Sequence, residues 1–324
     1  MERTGLRIVC LCLALIAWAG ASESRQLWLV LGAPGEEIFA QDFAQQAEHW
    51  RAGAARAGDF KVRELRDRQA FEEACQSEEG APAPELWIVL IGHGTFDGRT
   101  AKFNLEGPDV SASDIAGWLK ARKSPLVVIH TGECSGPFLP VLSGKDRVII
   151  TATQSGSEVV TTRFGGYLAE AWADPAADVN RDGAVSVLEA FLVGSGRTQE
   201  FYERERRLAS EHALIDDNGD GKGTRADWFE GLRVVRKSTD GAAADGGRAR
   251  KIHLVPGPAD RGLTAEQRAR RDQLEEEIEA LRGRRAEMGD DAWYDALEVK
   301  LLELGKLLGG AEKDKAPEST ANIR

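Results

Sequence analysis

A three-layer α/β/α domain built on a mostly parallel sheet is the fold class that this 324-residue sequence predicts. Near-continuous Val/Ile/Leu runs, such as 86–91 and 126–129, have the composition of strands buried on both faces. Helix-like stretches alternate with these runs from residue 26 to 173, the rhythm of a sheet covered by helices. Two of the runs lead directly into residues of chemical interest, at the strand ends where sites in such sheets lie.

The elements follow in order. A strand is expected over 26–32 (QLWLVLG), a helix over 36–58, a strand over 60–65 (FKVREL) and a short helix over 67–76. The run 85–92 (ELWIVLIG) is the third strand. A stretch opening on Ser and Asp caps predicts a helix over 111–122, and 125–132 (PLVVIHTG) is again a strand. A short helix through 137–142, a strand over 146–153 and a helix over 163–173 complete the pattern. The segment 186–214 reads as largely helical with an interruption at Gly194–Gly196. The Gly/Ala-rich 237–250 reads as a flexible linker, and 251–257 (KIHLVPG) as one more candidate strand. Beyond it, Leu274, Ile278 and Leu281, then Tyr294, Leu297, Leu301, Leu304 and Leu308, recur at helical spacing. They predict an antiparallel helical hairpin of coiled-coil character, suited to intramolecular packing or to self-association.

Composition narrows the function classes. Lys and Arg number 42 against 53 Asp and Glu, a net charge of −11, which argues against a general nucleic-acid or anionic-membrane binder and is compatible with cation binding. Arg3 and Arg7, an apolar run over 8–19 and the small residues Ala19–Ala21 together form a signal-peptide pattern. That run is shorter than the roughly 20 residues needed to cross a bilayer. The chain is therefore expected to be secreted, or periplasmic or otherwise extracytoplasmic, with an uncleaved anchor as the alternative. Of four cysteines, Cys10 and Cys12 fall in this leader. A disulfide framework is excluded, and only a single Cys75–Cys134 bridge stays open. Cys75, with Phe71 four residues before it, reads as a packed helical thiol.

The domain plan is a leader at 1–21, a catalytic-type domain at 22–175, two calcium-loop and helix segments at 176–236, a linker with a candidate strand at 237–262, the hairpin at 263–309, and a disordered tail at 310–324.

His93 follows the third strand with Gly92 and Gly94 on either side, as if a substrate backbone had to come close. Cys134 follows the strand at 125–132, with Gly132 before it and Ser135 and Gly136 after. A thiolate is a nucleophile, and a nearby imidazole can take its proton and later protonate a leaving amine. His130 lies within the strand and reads as a supporting residue, and Asp97 and Arg99 as solvated loop charges.

The segment Gly92-His93-Gly94 with Thr95-Phe96-Asp97-Gly98, followed some forty residues later by a strand and Glu133-Cys134-Ser135-Gly136, resembles the legumain-like cysteine peptidases of the caspase-like clan. The resemblance spans residues 26–175 in strand and helix order. It implies a caspase-like fold, His93 as general acid and base, Cys134 as nucleophile, and the N–H groups of Gly94 and Cys134 as oxyanion donors. One departure stands out. Legumains carry Glu-Ala-Cys-Glu-Ser-Gly, whereas here Glu133 adjoins the cysteine, and a carboxylate pointing inward there would raise the thiol pKa.

Residues 178–189 fit the twelve-residue calcium template: Asp178, Asn180 and Asp182 at positions 1, 3 and 5, Gly183 at 6, the Ala184 carbonyl at 7, Ser186 at 9 and Glu189 at 12. Residues 216–227 repeat it with Asp216, Asn218, Asp220, Gly221, the Lys222 carbonyl, Thr224 and Asp227, with Gly223 in the usually apolar position 8. Asp174-Pro175 precedes the first loop, so these resemble loop–helix repeats such as dockerins as much as full EF-hands. The implied cofactor is Ca2+, in a structural role.

The expected function is a secreted, calcium-binding cysteine peptidase acting on peptide or protein substrates. The alternative is a catalytically weak or inactive caspase-like calcium-binding scaffold.

Overall fold

Side chains of the apolar runs alternate between two buried faces, and that alternation dictates the layers. The computed structural model describes residues 24–77, 85–236, 244–257 and 263–313. The expected leader, with Cys10 and Cys12, and the expected tail from residue 314 onward lie outside the described residues.

The chain runs β1 (Arg25–Leu31), α1 (Glu37–Ala57), β2 (Phe60–Leu65), α2 (Arg68–Ser77) and β3 (Leu86–Ile91). Three short strands follow, β4 (Gly94–Phe96), β5 (Ala101–Phe103) and β6 (Val110–Ser111), which form a small antiparallel sheet of their own. Then come α3 (Ala112–Trp118), β7 (Leu126–His130), α4 (Phe138–Leu142), β8 (Arg147–Thr151), α5 (Phe164–Ala171) and α6 (Val187–Arg204). The described chain continues with β9 (Leu214–Asp216), β10 (Thr224–Arg225), the small hairpin β11 (Phe229–Glu230) and β12 (Arg233–Val234), and the helices α7 (Ala265–Gly283), α8 (Arg285–Met288) and α9 (Asp290–Lys313).

Seven strands make the main sheet in the order β10-β9-β8-β7-β3-β1-β2. The five from β8 to β2 are parallel, and β9 and β10 add an antiparallel edge. Leu27, Leu29, Trp87, Val89, Val127 and Ile129 pack against Phe43 and Trp50 of α1, Leu168 of α5 and Phe191 of α6. Their neighbours Trp28, Val30, Ile88, Leu90 and Val128 face the other way, onto Phe71 of α2, Ile115 of α3 and Phe138 of α4. This is the expected three-layer α/β/α arrangement. Cys75 is buried in the second layer as a free thiol, its pKa pushed up to about 12 by burial, and Cys134 is also free, so the bridge left open by the sequence does not form.

Several expectations change. α6 runs unbroken through Gly194–Gly196. A Cβ on Gly194 would lie 3.1 Å from the Leu168 backbone, so this glycine serves close packing of α6 on α5 and does not break the helix. The helix expected to 122 stops at Trp118, and residues 207–213 are irregular rather than helical. The main sheet takes in β9 from beyond residue 176, so the calcium-loop segment is built into the same sheet as the site. The part of the linker that is described, 244–250, is packed: Asp245 and Ala249 are buried, and Lys251 closes a short 3-10 turn. The candidate strand at 251–257 reduces to one bridge between His253 and Ser186. It is pinned instead from the side, where Arg25 donates to the carbonyls of His253 and Leu254 at 2.7 and 2.9 Å.

Trp50 is fully buried between Trp87 and Trp172, with ring centroids at 6.1 and 5.5 Å. Trp50→Ala is expected to cost about 3–5 kcal/mol in chemical denaturation, because the surrounding rings cannot collapse into the space.

Candidate active site and calcium loops

β3 and β7 are parallel neighbours, with Leu90 opposite His130, so the loops that follow them emerge side by side. The approach is very close. A Cβ on Gly94 would sit 2.1 Å from the Glu133 carbonyl oxygen, and one on Gly132 would sit 2.0 Å from that of Gly92. Gly94 and Gly132 are therefore required by this approach, whereas a Cβ on Gly92 would lie 2.8 Å from Gly32 Cα, so packing and not a substrate backbone explains both glycines beside His93.

Within this contact Glu133 takes the central place. Its carboxylate lies 3.2 and 3.3 Å from His93 Nδ1 and accepts the Gly94 N–H at 3.2 Å. The His93 ring packs edge-on against Phe39 and Phe43, with centroids at 4.6 and 5.1 Å, and also engages the Pro34 backbone. The Glu133 bond holds the imidazole pKa above its ordinary value, against an opposing effect of burial. Burial works to raise the Glu133 carboxyl, but the His93 and backbone hydrogen bonds together outweigh it and the net shift is downward. Both directions favour the same pairing, a protonated imidazole with an ionised carboxylate.

Cys134 is 1% exposed and adopts a φ of +55°, a left-handed conformation that non-glycine residues adopt infrequently. Its N–H donates to the Glu158 carbonyl at 2.9 Å. Burial first, and the adjacent Glu133 charge second, push its thiol pKa up, as the sequence foresaw for an inward carboxylate. The two N–H groups expected as oxyanion donors, Gly94 and Cys134, are thus both engaged here, by Glu133 and Glu158 respectively.

The loop is held from below. Ser135 Oγ meets Thr153 Oγ1 at 3.0 Å, and the Gly136 N–H donates to the same Thr153 oxygen at 3.0 Å. His130 sits beneath, wholly buried, with its pKa pushed down to about 3 by burial. It is therefore a neutral ring whose Nδ1 accepts the Gly132 N–H at 3.2 Å, which assigns its proton to Nε2. Nε2 has no oxygen or nitrogen partner and lies among the rings of Phe103 and Phe138, centroids at 5.2 and 4.6 Å. That confirms His130 as a supporting residue. Asp97 accepts the N–H groups of Arg99 and Thr100 at 2.8 and 2.7 Å, closing its own loop.

Sequence reasoning missed a second layer of contacts. The Glu158 carboxylate binds His212 Nδ1 at 2.6 Å and the His212 N–H at 3.2 Å. Glu211, 3% exposed, accepts the Arg163 and Phe164 N–H groups and the Tyr202 hydroxyl. Glu211 and His212 lead directly into β9, whose last residue is Asp216, so the strap that carries them, which holds the Glu158 carboxylate through His212, is continuous with the second loop.

In the first loop Asp178 Oδ2 accepts the Gly183 N–H at 2.9 Å, Asn180 Oδ1 that of Asp182 at 2.9 Å, and Asp182 Oδ1 that of Ala184 at 2.9 Å. Glu189 Oε1 accepts the N–H groups of Val179 and Asn180 at 2.9 and 3.1 Å, and Oε2 the Ser186 hydroxyl at 2.7 Å. The second loop repeats the first three bonds through Asp216, Asn218 and Asp220, to Gly221, Asp220 and Lys222 at 3.0, 2.8 and 2.8 Å. Its twelfth position does not follow. Asp227 is turned outward, in ion pairs with Arg225 and Arg236 at 3.1 and 3.4 Å. Asp245 stands in its place: Oδ1 accepts the Asp217 and Asn218 N–H groups at 3.0 and 3.3 Å, and Oδ2 accepts the Thr224 hydroxyl. These are the bonds that Glu189 makes in the first loop, position for position. Gly223 also finds its reason, since a Cβ there would lie 2.7 Å from Leu139 and from Leu214. Burial, with the Asp217 and Asp216 charges adding to it, pushes the Asp245 carboxyl pKa up to about 7. Among the described residues no three carboxylate, imidazole or thiol groups converge as a ready metal cluster. The donor set of each loop is instead all oxygen, carboxylate with amide, hydroxyl and backbone carbonyl, which suits a hard cation.

No family model matches the sequence, and no curated protein matches it. Among solved structures the chain is similar to the Drosophila initiator caspase Dronc, at 16% identity and a TM-score of 0.41, over 61% of this chain and 81% of that one. It is also similar to caspase-1 from Spodoptera frugiperda, at 11% identity and a TM-score of 0.42, over 60% of this chain and 87% of that one. Likenesses of this degree carry no residue's role across, and the chemistry rests on the site's own geometry.

Proposed function

We propose that this chain is a cysteine peptidase held in a latched state by Glu133. The observation that supports it is the backbone contact between the loops after β3 and β7, which brings His93 beside the Cys134 segment at the carboxyl edge of the sheet. With the latch released, His93 would take the Cys134 proton, the thiolate would attack a peptide carbonyl, and the imidazolium would protonate the leaving amine. The Gly94 and Cys134 N–H groups would then face the oxyanion. Latched, the same imidazole serves a carboxylate, and the thiol is buried and protonated.

Calcium at the two loops would brace the strap that carries Glu211 and His212, outside the cytoplasm if the leader at 1–21 acts as a signal. No helix among the described residues is long and apolar enough to cross a membrane. A second reading, an inactive calcium-binding scaffold, is favoured by the same Glu133 contacts if they never break.

Alkylation of Cys134 by iodoacetamide, read by peptide mass spectrometry, separates the two. The wild type should react more slowly than a free cysteine. Glu133→Gln should react at least about tenfold faster, since a thiol pKa lowered by one unit gives ten times the thiolate. The gain should vanish in Glu133→Gln/His93→Ala. Equal rates in wild type and Glu133→Gln would leave the scaffold as the better account.

Calcium binding distinguishes Asp245 from Asp227. Calorimetric titration of the wild type should show two sites. Asp245→Asn should weaken one of them by about tenfold or more, and Asp227→Asn should leave both intact. The reverse ranking would restore the contiguous twelve-residue assignment.

A further inference from the structure

A cavity of about 400 Å3 opens where the return segment 249–257 and the β11–β12 turn meet the helical hairpin. Its size lies within the roughly 300–1,000 Å3 typical of small-molecule sites. The lining combines two chemistries. Leu301, Leu304 and Leu308 of α9 and Ile278 of α7 are apolar. Five cationic side chains, among them Arg233, Arg250 and Arg282, stand against two carboxylates, Asp182 and Glu275. An excess of cations is the opposite of what a chain of net charge −11 supplies on average.

The cations are not equivalent. Lys251 pairs with Glu276, outside the lining, and Arg271 with Asp272 outside it and Glu275 within it, so they contribute field more than contacts. Arg250 differs: its Nε is buried with no hydrogen-bond partner. That buried N–H faces protein rather than the cavity, so a ligand's anionic group would reach the guanidinium through its outer N–H groups, in a charge-assisted bond. Leu301 is 49% exposed, apolar area that a ligand's hydrocarbon would cover.

We propose that this cavity is a binding site for a single-chain amphiphile with an anionic head, the head on Arg250 and the hydrocarbon along Leu301, Leu304 and Leu308 of α9. The cations set the head's position through Coulomb attraction in a partly desolvated bowl, and the leucine ridge, spaced at three and four residues on one helix, gives the chain a straight track. Acetate lacks the second feature and decanol the first, so each should bind poorly. The site is independent of the Cys134 chemistry and survives if that reading fails.

The test is calorimetric titration of the full chain with decanoate and decyl phosphate, below micelle formation, beside decanol and acetate. One saturable site for at least one of the two anionic amphiphiles is expected, with decanol and acetate weaker by about tenfold or more. Arg250→Gln and, separately, Leu308→Gln should each weaken binding to a similar degree while circular dichroism stays native. Leu308 lies near the end of α9, so its variant keeps the test open if Arg250→Gln disturbs the return segment. No saturable binding of either anion, equal binding of decanol, or wild-type affinity in folded variants would overturn the proposal.

Discussion

The state of this molecule follows from how closely two chain segments approach at the carboxyl ends of β3 and β7. Parallel pairing sets the loops side by side, and glycines at 94 and 132 let their backbones touch. Once they touch, the side chain at 133 has little freedom. It points at the imidazole and the amide across the gap, and it is a carboxylate. A smaller or neutral residue there would leave His93 Nδ1 and the Gly94 N–H without that partner. The sheet gathers His93, Glu133 and Cys134 at one edge, and on the proposed reading one side chain decides whether the imidazole and the thiol can work together.

That side chain is stabilised by its own consequences. Pairing raises the His93 pKa and lowers that of Glu133. The Glu133 contribution is present above its ordinary 4.5 and is lost as pH falls through its lowered value. The His93 contribution is present below its ordinary 6.5 and is lost as pH rises through its raised value. The latch is therefore at full strength in mild acid and loosens toward alkali. Loosening runs in the same direction as deprotonation of the Cys134 thiol, so both changes favour a reactive site as pH rises. A second restraint, the Glu158 carbonyl on the Cys134 N–H, is tied through His212 to β9 and the second calcium-type loop, and carries the site's geometry out to the sheet edge.

Much of this was legible in the sequence, for physical reasons. β1, β3 and β7 are runs buried on both faces, and such runs look the same in almost any parallel sheet. His93 and Cys134 stood out because each ends such a run. The strands β4 to β6, two or three residues long, have too little pattern to read, and tertiary pairing makes them. Gly194 looked like a helix break because its purpose, the approach of Leu168, lies on another helix. Asp245 stayed hidden for a similar reason. It sits in a Gly/Ala-rich stretch eighteen residues beyond Asp227, and only the fold brings it under the second loop. The carboxylate beside the thiol was visible, but its partner across the gap was not.

The most direct measurement is the pKa of the His93 imidazole, followed by nitrogen-15 NMR of its ring in wild type and Glu133→Gln. A latched pair predicts a wild-type value above the ordinary 6.5 that falls when the carboxylate is neutralised, with Nδ1 losing its hydrogen-bonded shift. A wild-type value at or below 6.5 that Glu133→Gln leaves unmoved would mean that Glu133 does not hold the imidazole, and the latch would be contradicted.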